Sequence, residues 1–410
     1  MNTFITPSWV TKDTAINFKN NLKLIGRFDR TWDDSWMNKP DGAKIGYTVQ
    51  VRLPQRWIVS EGQALVQQAI LNQTVPITIN HQFQVGCGWS SADDRLSVEE
   101  VQKRYTSTAG RAMANRWDVA AGQEVYKSVY YSTGTPGTPI TTDVTYTDAV
   151  AALVNYAVPD EDLIAVLDPV SSSKISAANL ALFNPNNQIS KYFRRGQFSG
   201  PALGVEEWHR DANMPTHTTG TFASSTPVIN GASQTGSSIV TSGWGAATLK
   251  QGDVFTIAGV RAVNPLSYID TNALQQFVVT ADATAAAGAM TIAISPSIVT
   301  SGALQTVTAS PANGAAIAVV GSTGTVGATM ATQTSRQSLL FHPDAFAFVM
   351  VDLPANLPGA NSKRINDKEA ALSIRWVEQY NVQTDQKPSR IDTIGGVAPI
   401  LPYFAMRLWS

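Results

Sequence analysis

Residues Leu249–Val260 read LKQGDVFTIAGV. Gln251-Gly252-Asp253 forms a tight-turn signal, Val254, Phe255 and Ile257 are apolar strand positions, and Gly259 marks a second turn. Such a hairpin belongs in a small all-β domain. Its neighbourhood agrees: from Ala223 to Ser335 the charged residues are only Lys250, Asp253, Arg261, Asp270 and Asp282, and Ser, Thr, Gly and Ala dominate. Short β-like runs recur at 237–240, 253–260, 276–280, 289–294 and 315–320, with turn residues between them. Regular short strands separated by turns predict an antiparallel sandwich or barrel.

On both sides of this module the patterning is mixed. GYTVQVRLP (46–54) alternates through Tyr47, Val49, Val51 and Leu53, and VPITINHQFQV (75–85) alternates through Val75, Ile77, Ile79, Phe83 and Val85. Both read as strands with one buried face. Between them Gln55–Thr74 is too long for a hairpin turn and carries Trp57, Ile58, Val59, Leu65, Val66, Ile70 and Leu71. An apolar loop needs a surface to lie on, so it is expected to contact a partner, with folding back on its own domain as the alternative.

LSVEEV (96–101) places Ser97 and Glu100 as a capping box, with Leu96 and Val101 at the staple positions. Apolar residues then recur at helical spacing from Val98 through Val129, predicting a spine helix from Ser97 to about Tyr131. Thr147–Tyr156 and the SSSKISAANLALF segment read as further helices, and Leu163–Pro169 as a buried strand. After the β module, LLFHPDAFAFVMVDLP reads as a short helix leading into a strand, and ALSIRWVEQYNV alternates again. The β module is therefore an insertion in an α+β host, and insertions sit where the two chain ends lie together at a surface.

The first 45 residues set seven Lys/Arg against five Asp and interleave Trp9, Phe18, Trp32 and Trp36. They read either as an arm draped over another surface or as a segment docked on its own core, with a short helix near Asp13–Leu24. The whole chain of 410 residues has a formal net charge of −1 and 15% charged residues, which excludes a binder that grips nucleic acid through bulk positive charge. A single cysteine, Cys87, excludes an internal disulfide framework and suits a reducing compartment such as a cytoplasm. The start has no basic region followed by an apolar run, and no stretch is long and apolar enough to span a membrane.

No catalytic constellation emerges. Ser171-x-x-Lys174 matches an acyl-enzyme pattern, but neither companion tripeptide of that pattern occurs. Glu206, His209 and Asp211 fit no standard metal spacing. GSTGTVG (321–327) lacks the Gly-Lys-Ser/Thr of a phosphate loop, and His81, His217 and His342 are isolated in the sequence. No cofactor, metal or catalytic residue is expected.

The order of elements, together with KIGYTVQVRLP (44–54), FRRGQFSGPALGVEEWHRDANMPTHTTG (193–220) and LLFHPDAFAFVM (339–350), resembles the major capsid proteins of tailed bacteriophages with the HK-ninety-seven-like fold. LKQGDVFTIAGV resembles the inserted β-barrel of the P-twenty-two-like branch. The resemblance implies an N-terminal arm (1–45), an extended β-loop with its strands (46–90), a spine helix of the peripheral domain (91–135), a first axial part (136–222), the inserted barrel (223–335) and a return through axial and peripheral domains (336–410). It implies pentamers and hexamers of the chain in an icosahedral shell around phage double-stranded DNA, which is touched non-specifically. It also implies a scaffolding protein and a portal during assembly, in the host cytoplasm. Trp57, Ile58, Val59, Leu65 and Ile70 would be loop anchors on a neighbour, and Trp9, Phe18, Trp32 and Trp36 arm contacts. Some relatives weld subunits through a loop lysine, and residues 54–74 contain none. The competing readings are a carbohydrate-binding virion or surface decoration protein, which the spine helix and two-strand arm argue against, and a hydrolase, which the missing companion motifs argue against.

Overall fold

A computed structural model describes residues 7–32, 46–90, 107–178, 201–222, 226–320, 332–355, 357–367 and 372–410. In chain order the elements are α1 (Pro7–Asn21), β1 (Thr48–Arg52), β2 (Thr74–Thr78), β3 (His81–Ser90), α2 (Ser107–Val125), β4 (Tyr131–Thr133), α3 (Asp143–Asn155), β5 (Ile164–Leu167), α4 (Pro169–Ala178), β6 (Glu207–Arg210) and β7 (Thr216–Thr218). There follow β8 (Val228–Ile229), β9 (Gly236–Ser242), β10 (Thr248–Leu249), β11 (Val254–Val263), β12 (Asp270–Val279), β13 (Ala283–Thr284), β14 (Met290–Ile298) and β15 (Ile317–Val319). The chain ends with β16 (Thr334–Phe341), β17 (Phe346–Met350), β18 (Asn361–Asp367), β19 (Leu372–Glu378), β20 (Gln386–Pro399) and β21 (Ala405–Trp409). It is a mixed α/β chain with few helices and many strands, divided into two compact units.

The first unit comprises Met1–Val51, Thr74–Ala121 and Phe346–Ala398. Its sheet runs β17-β20-β19-β18, with β3 also paired along β20 from Gln386↔Ser90 to Gly395↔His81. Trp117 of α2 is fully buried, stands edge-on to Phe83 (4.8 Å) and Phe348 (5.4 Å), and donates its indole N–H to Thr393 Oγ1 at 2.9 Å. A buried indole needs such a partner, because an unmade hydrogen bond there costs its full desolvation. Helix α1 crosses α2 at Gly110, where an added Cβ would sit 2.9 Å from the Thr14 carbonyl oxygen. Buried Asp118 of α2 accepts the backbone N–H groups of Lys23 (3.0 Å) and Ile25 (3.1 Å), so the chain leaving α1 is pinned to α2. Asp29 then pairs with the β17 backbone on both sides, Asp29 N to Phe346 O (2.9 Å) and Phe348 N to Asp29 O (3.0 Å).

The second unit comprises Arg52–Gln73, Gly122–Ala345 and Pro399–Ser410. One sheet runs β4-β21-β16-β5-β6, with β4 parallel to β21 and β5 parallel to β6. Its core gathers Tyr146 and Leu153 of α3 with Leu163, Leu167, Trp208 and Leu408. A second sheet runs β15-β11-β12-β14-β9-β8 around Ile239, Trp244, Phe255, Phe277 and Ile292. Its two edges meet: Ile229 N donates to Ala315 O, Gly314 N to Ile229 O, and Ile317 N to Pro227 O, all at 2.9 Å. The sheet is thus nearly closed, which satisfies edge groups that would otherwise template aggregation. The strands leading in and out lie side by side, with β7 antiparallel to β16 (Thr218↔Thr334, His217↔Ser335) and Thr219 N bonded to Gln333 O at 2.9 Å.

Several sequence expectations are corrected. The spine helix ends at Val125, not near Tyr131, and Tyr131 enters strand β4. The aromatic and β-branched run Val129-Tyr130-Tyr131 packs better on a sheet than along a helix; the capping box of Ser97 and Glu100 lies outside the described residues. LLFHPDAF contains a single 3-10 turn, Pro343–Ala345, between two strands. Leu339, Leu340 and Phe341 are all buried, a pattern that suits a strand covered on both faces, and Pro343 opens only one helical turn. Gly259 (φ +81°) does not end a strand: β11 continues to Val263, and its pairing with β12 shifts register between Thr256 and Arg261. That is a bulge, for which a positive-φ glycine is well suited. The turn before it is as expected: Asp253 N bonds to Lys250 O at 3.0 Å with Gly252 at φ +101°, a type II turn.

Candidate functional site

The apolar loop is the feature that packing leaves unexplained. Leu53 N bonds to Gln73 O at 2.9 Å where the arms begin. Further out, Leu71 N donates to Gln55 Oε1 (3.1 Å), Ile58 N donates to Gln68 Oε1 (3.0 Å), and Gln68 Nε2 donates back to the Ile58 carbonyl. Glutamine side chains therefore hold the two arms together where a backbone ladder is missing. Beyond this clasp the side chains face solvent, Val59 being 94% exposed and Leu65 92%; Trp57, Ile58 and Ile70, at the clasp itself, are exposed as well. Contiguous exposed apolar surface of this kind marks an interaction site.

The expected arm residues divide. Phe18 is fully buried in the first unit, in the helix pinned to α2, so it packs its own core. Trp32 is half-buried, Trp9 lies in α1 with its side chain outside the described set, and Trp36 lies outside the described residues. Phe18 thus packs as the docked alternative expects.

A second polar cluster braces the root of the nearly closed sheet, and the sequence reading missed it. His217 of β7 lies with its Nε2 2.9 Å from Asp253 Oδ1, and both side chains are buried. Asp253 Oδ2 also accepts from Gly220 N (3.1 Å) and Lys250 N (2.7 Å). Tyr126 Oη is 3.4 Å from His217 Nδ1. Arg407 of β21, wholly buried, donates to the Gly252 carbonyl at 2.8 Å and stacks over Trp409 at 5.2 Å; burial pushes its pKa down to about 10. Two clues were visible: an Asp among only five charged residues of the β module, and a His in a Thr-rich stretch.

The sequence motifs weighed for chemistry come apart. Ser171 is buried with its Oγ unpartnered while Lys174 is exposed. His209 pairs with Glu207 (2.8 Å), and Asp211 accepts from Asn213 N (3.0 Å). Among the described residues no group of His, Cys, Asp and Glu is arranged to hold a metal, and no helix is long and apolar enough to cross a membrane. GSTGTVG lies outside the described residues.

The described residues form a braced frame that presents an exposed apolar loop. The family described as "P22 coat protein - gene protein 5" matches residues 63–405, and the chain belongs to that family: it is a structural major capsid protein of the bacteriophage virion. Among solved structures it is similar to a chain from Mycobacterium phage Che8 (11% identity, 93% of this chain and 89% of that one, TM-score 0.46). It is also similar to the virus-like particle from Pyrococcus furiosus (7%, 98% and 98%, 0.42) and to the CUS-3 coat protein I-domain (27%, 24% and 97%, 0.19). No curated protein matches.

Proposed function

We propose that the chain self-assembles as pentamers and hexamers into an icosahedral shell of HK-ninety-seven-like subunits that encloses phage double-stranded DNA. The single observation that carries the reading is the clasped loop with Val59 and Leu65 almost fully exposed, which needs cover from another chain. Trp57, Ile58, Val59, Leu65 and Ile70 anchor that contact, with Trp9, Trp32 and Trp36 as further arm contacts. Residues 223–335 act as an inserted β-barrel; the hydrogen bonds between β8 and residues 314–317, and the paired strands β7 and β16, support this. The parts 1–45, 46–90, 91–135, 136–222 and 336–410 form the arm, extended loop, spine and axial and peripheral segments around it. A net charge of −1 suits a wall that touches DNA without gripping it. A scaffolding protein and a portal guide assembly in the host cytoplasm. Closed symmetry multiplies each modest contact, so weak, reversible interfaces build a stable container.

The test is electron microscopy of the protein from bacterial lysate after velocity sedimentation, alone and co-expressed with its neighbouring phage genes. Uniform shells or tubes are expected, and no large particle under either condition would overturn the proposal. Because residues 54–74 carry no lysine, the shells are also expected to dissociate to monomers in boiling detergent.

A further inference from the structure

The loop's partner surface is identifiable within the second unit. At the root of the loop a cavity of about 660 Å³ is lined by Arg56, Tyr130, Tyr131, Leu266, Tyr403 and Phe404, among others. Tyr403 and Phe404 meet edge-on at 4.7 Å, and Arg56 lies over the Tyr403 ring at 4.9 Å. Among the described residues Arg56 forms no ion pair. The loop between Leu53 and Gln73 carries one carboxylate, Glu61, which sits exposed at the tip between Val59 and Leu65 and forms no ion pair either.

Within one copy the Ile58–Gln68 bonds clasp the two arms of the loop. Arg56 lines the aromatic cavity at the root, and Glu61 stands exposed at the tip beside exposed Val59; among the described residues neither forms an ion pair. A cation at one end of the loop and a carboxylate at the other offer a second copy complementary charges.

We propose that the loop tip of one copy docks in the loop-root cavity of a second copy, with Glu61 pairing Arg56 across the contact and Val59 and Leu65 packing on the aromatic wall. The contact is head-to-tail, so it closes into rings when the rotation between copies permits. It rests on the shell reading above and names the acceptor surface for the loop.

The experiment uses full-length chain in a Cys87→Ala background. Glu61→Cys and Arg56→Cys chains are prepared separately, co-assembled with the neighbouring phage genes, and treated with a short bismaleimide. Mixed shells are expected to yield covalent dimers, absent from shells of either variant alone. A single chain carrying both substitutions is expected to yield a ladder up to the ring size. Shells that form but give no mixed dimer overturn the docking site and leave the shell reading standing; failure of the unmodified chain to form particles sinks both. In a second arm, E61R or R56E alone is expected to lower shell yield about fivefold, and the double reversal to restore it. Equal yields from all three would overturn the pairing.

Discussion

His217 Nε2 lies 2.9 Å from Asp253 Oδ1, and the two residues, 36 positions apart, tie the strand that leads into the nearly closed sheet to the turn before β11. Asp253 also holds the N–H groups of Gly220 and Lys250, so one carboxylate serves three donors. Removing a buried charged partner leaves the rest desolvated and unpaired. Asp253→Ala is expected to lower stability by about 3–5 kcal/mol and His217→Ala by about 2–3 kcal/mol. Urea unfolding of the unassembled chain reads both as a lower midpoint at constant slope. A loss under about 1 kcal/mol for Asp253→Ala would show that the cluster does not brace the junction.

Gly220 is irreplaceable for a different reason. A Cβ there would fall 1.9 Å from the Thr248 carbonyl oxygen, a backbone atom that cannot swing aside. The neighbouring pair Thr221 and Thr248 fixes this approach, with their hydroxyls 2.7 Å apart. Gly220→Ala is expected to cost about 3 kcal/mol or more and to make particle yield temperature-sensitive, as checked by expression at a low and a high temperature. Gly259→Ala, which meets nothing within 4 Å and has only its positive φ to strain, is expected to cost about 1 kcal/mol.

In the first unit, Trp117 joins α2 to β20 through its bond to Thr393. Trp117→Phe and Thr393→Val each remove one partner, and the double variant removes both. The cycle is expected to show a coupling of about 1 kcal/mol, and additivity would mean that the hydrogen bond contributes nothing net.

Asp282 gives a pH signature. Its carboxyl is held below the ordinary value by the hydrogen bond from Lys250, 2.9 Å away, and by the Gln251 N–H. A depressed carboxyl pKa stabilises the fold above its unfolded value, and the gain is lost as pH falls through the folded one. Asp282→Asn is therefore expected to be less stable than the parent at neutral pH, with the two midpoints converging as the pH drops below about 4. Both side chains are more than half exposed, so the gap is expected to be small and to shrink with added salt.

Much of this architecture was legible in the sequence. The runs at 237–240, 253–260, 276–280, 289–294 and 315–320 fall on or within two residues of β9, β11, β12, β14 and β15, because period-two alternation reports a half-buried strand wherever the strand lies. The exposed loop was legible as well, since apolar residues without helical or strand periodicity in a long connection have no local surface to cover. The boundaries were less so. Gly259 has the same letter in a turn and in a bulge, and only the partner strand decides which. Pro343 announced a helix that lasts one turn, because the Leu-Leu-Phe run before it had already been taken into the sheet between β5 and β21.

By itself, then, the sequence determined the periodicities: which stretches alternate as strands, that the charge-poor middle of the chain is built of short ones, and that a loop carries apolar side chains with nothing local to hide them. These follow from neighbours a few residues apart, whose geometry the backbone dictates. Only the tertiary structure decided that Phe18 is core, that Asp253 answers His217, that Arg407 reaches Gly252 across 155 positions of chain, and that Arg56 lies over the Tyr403 ring. A buried polar group must find a partner somewhere, but which one it finds depends on the residues topology brings beside it, and no local pattern encodes that.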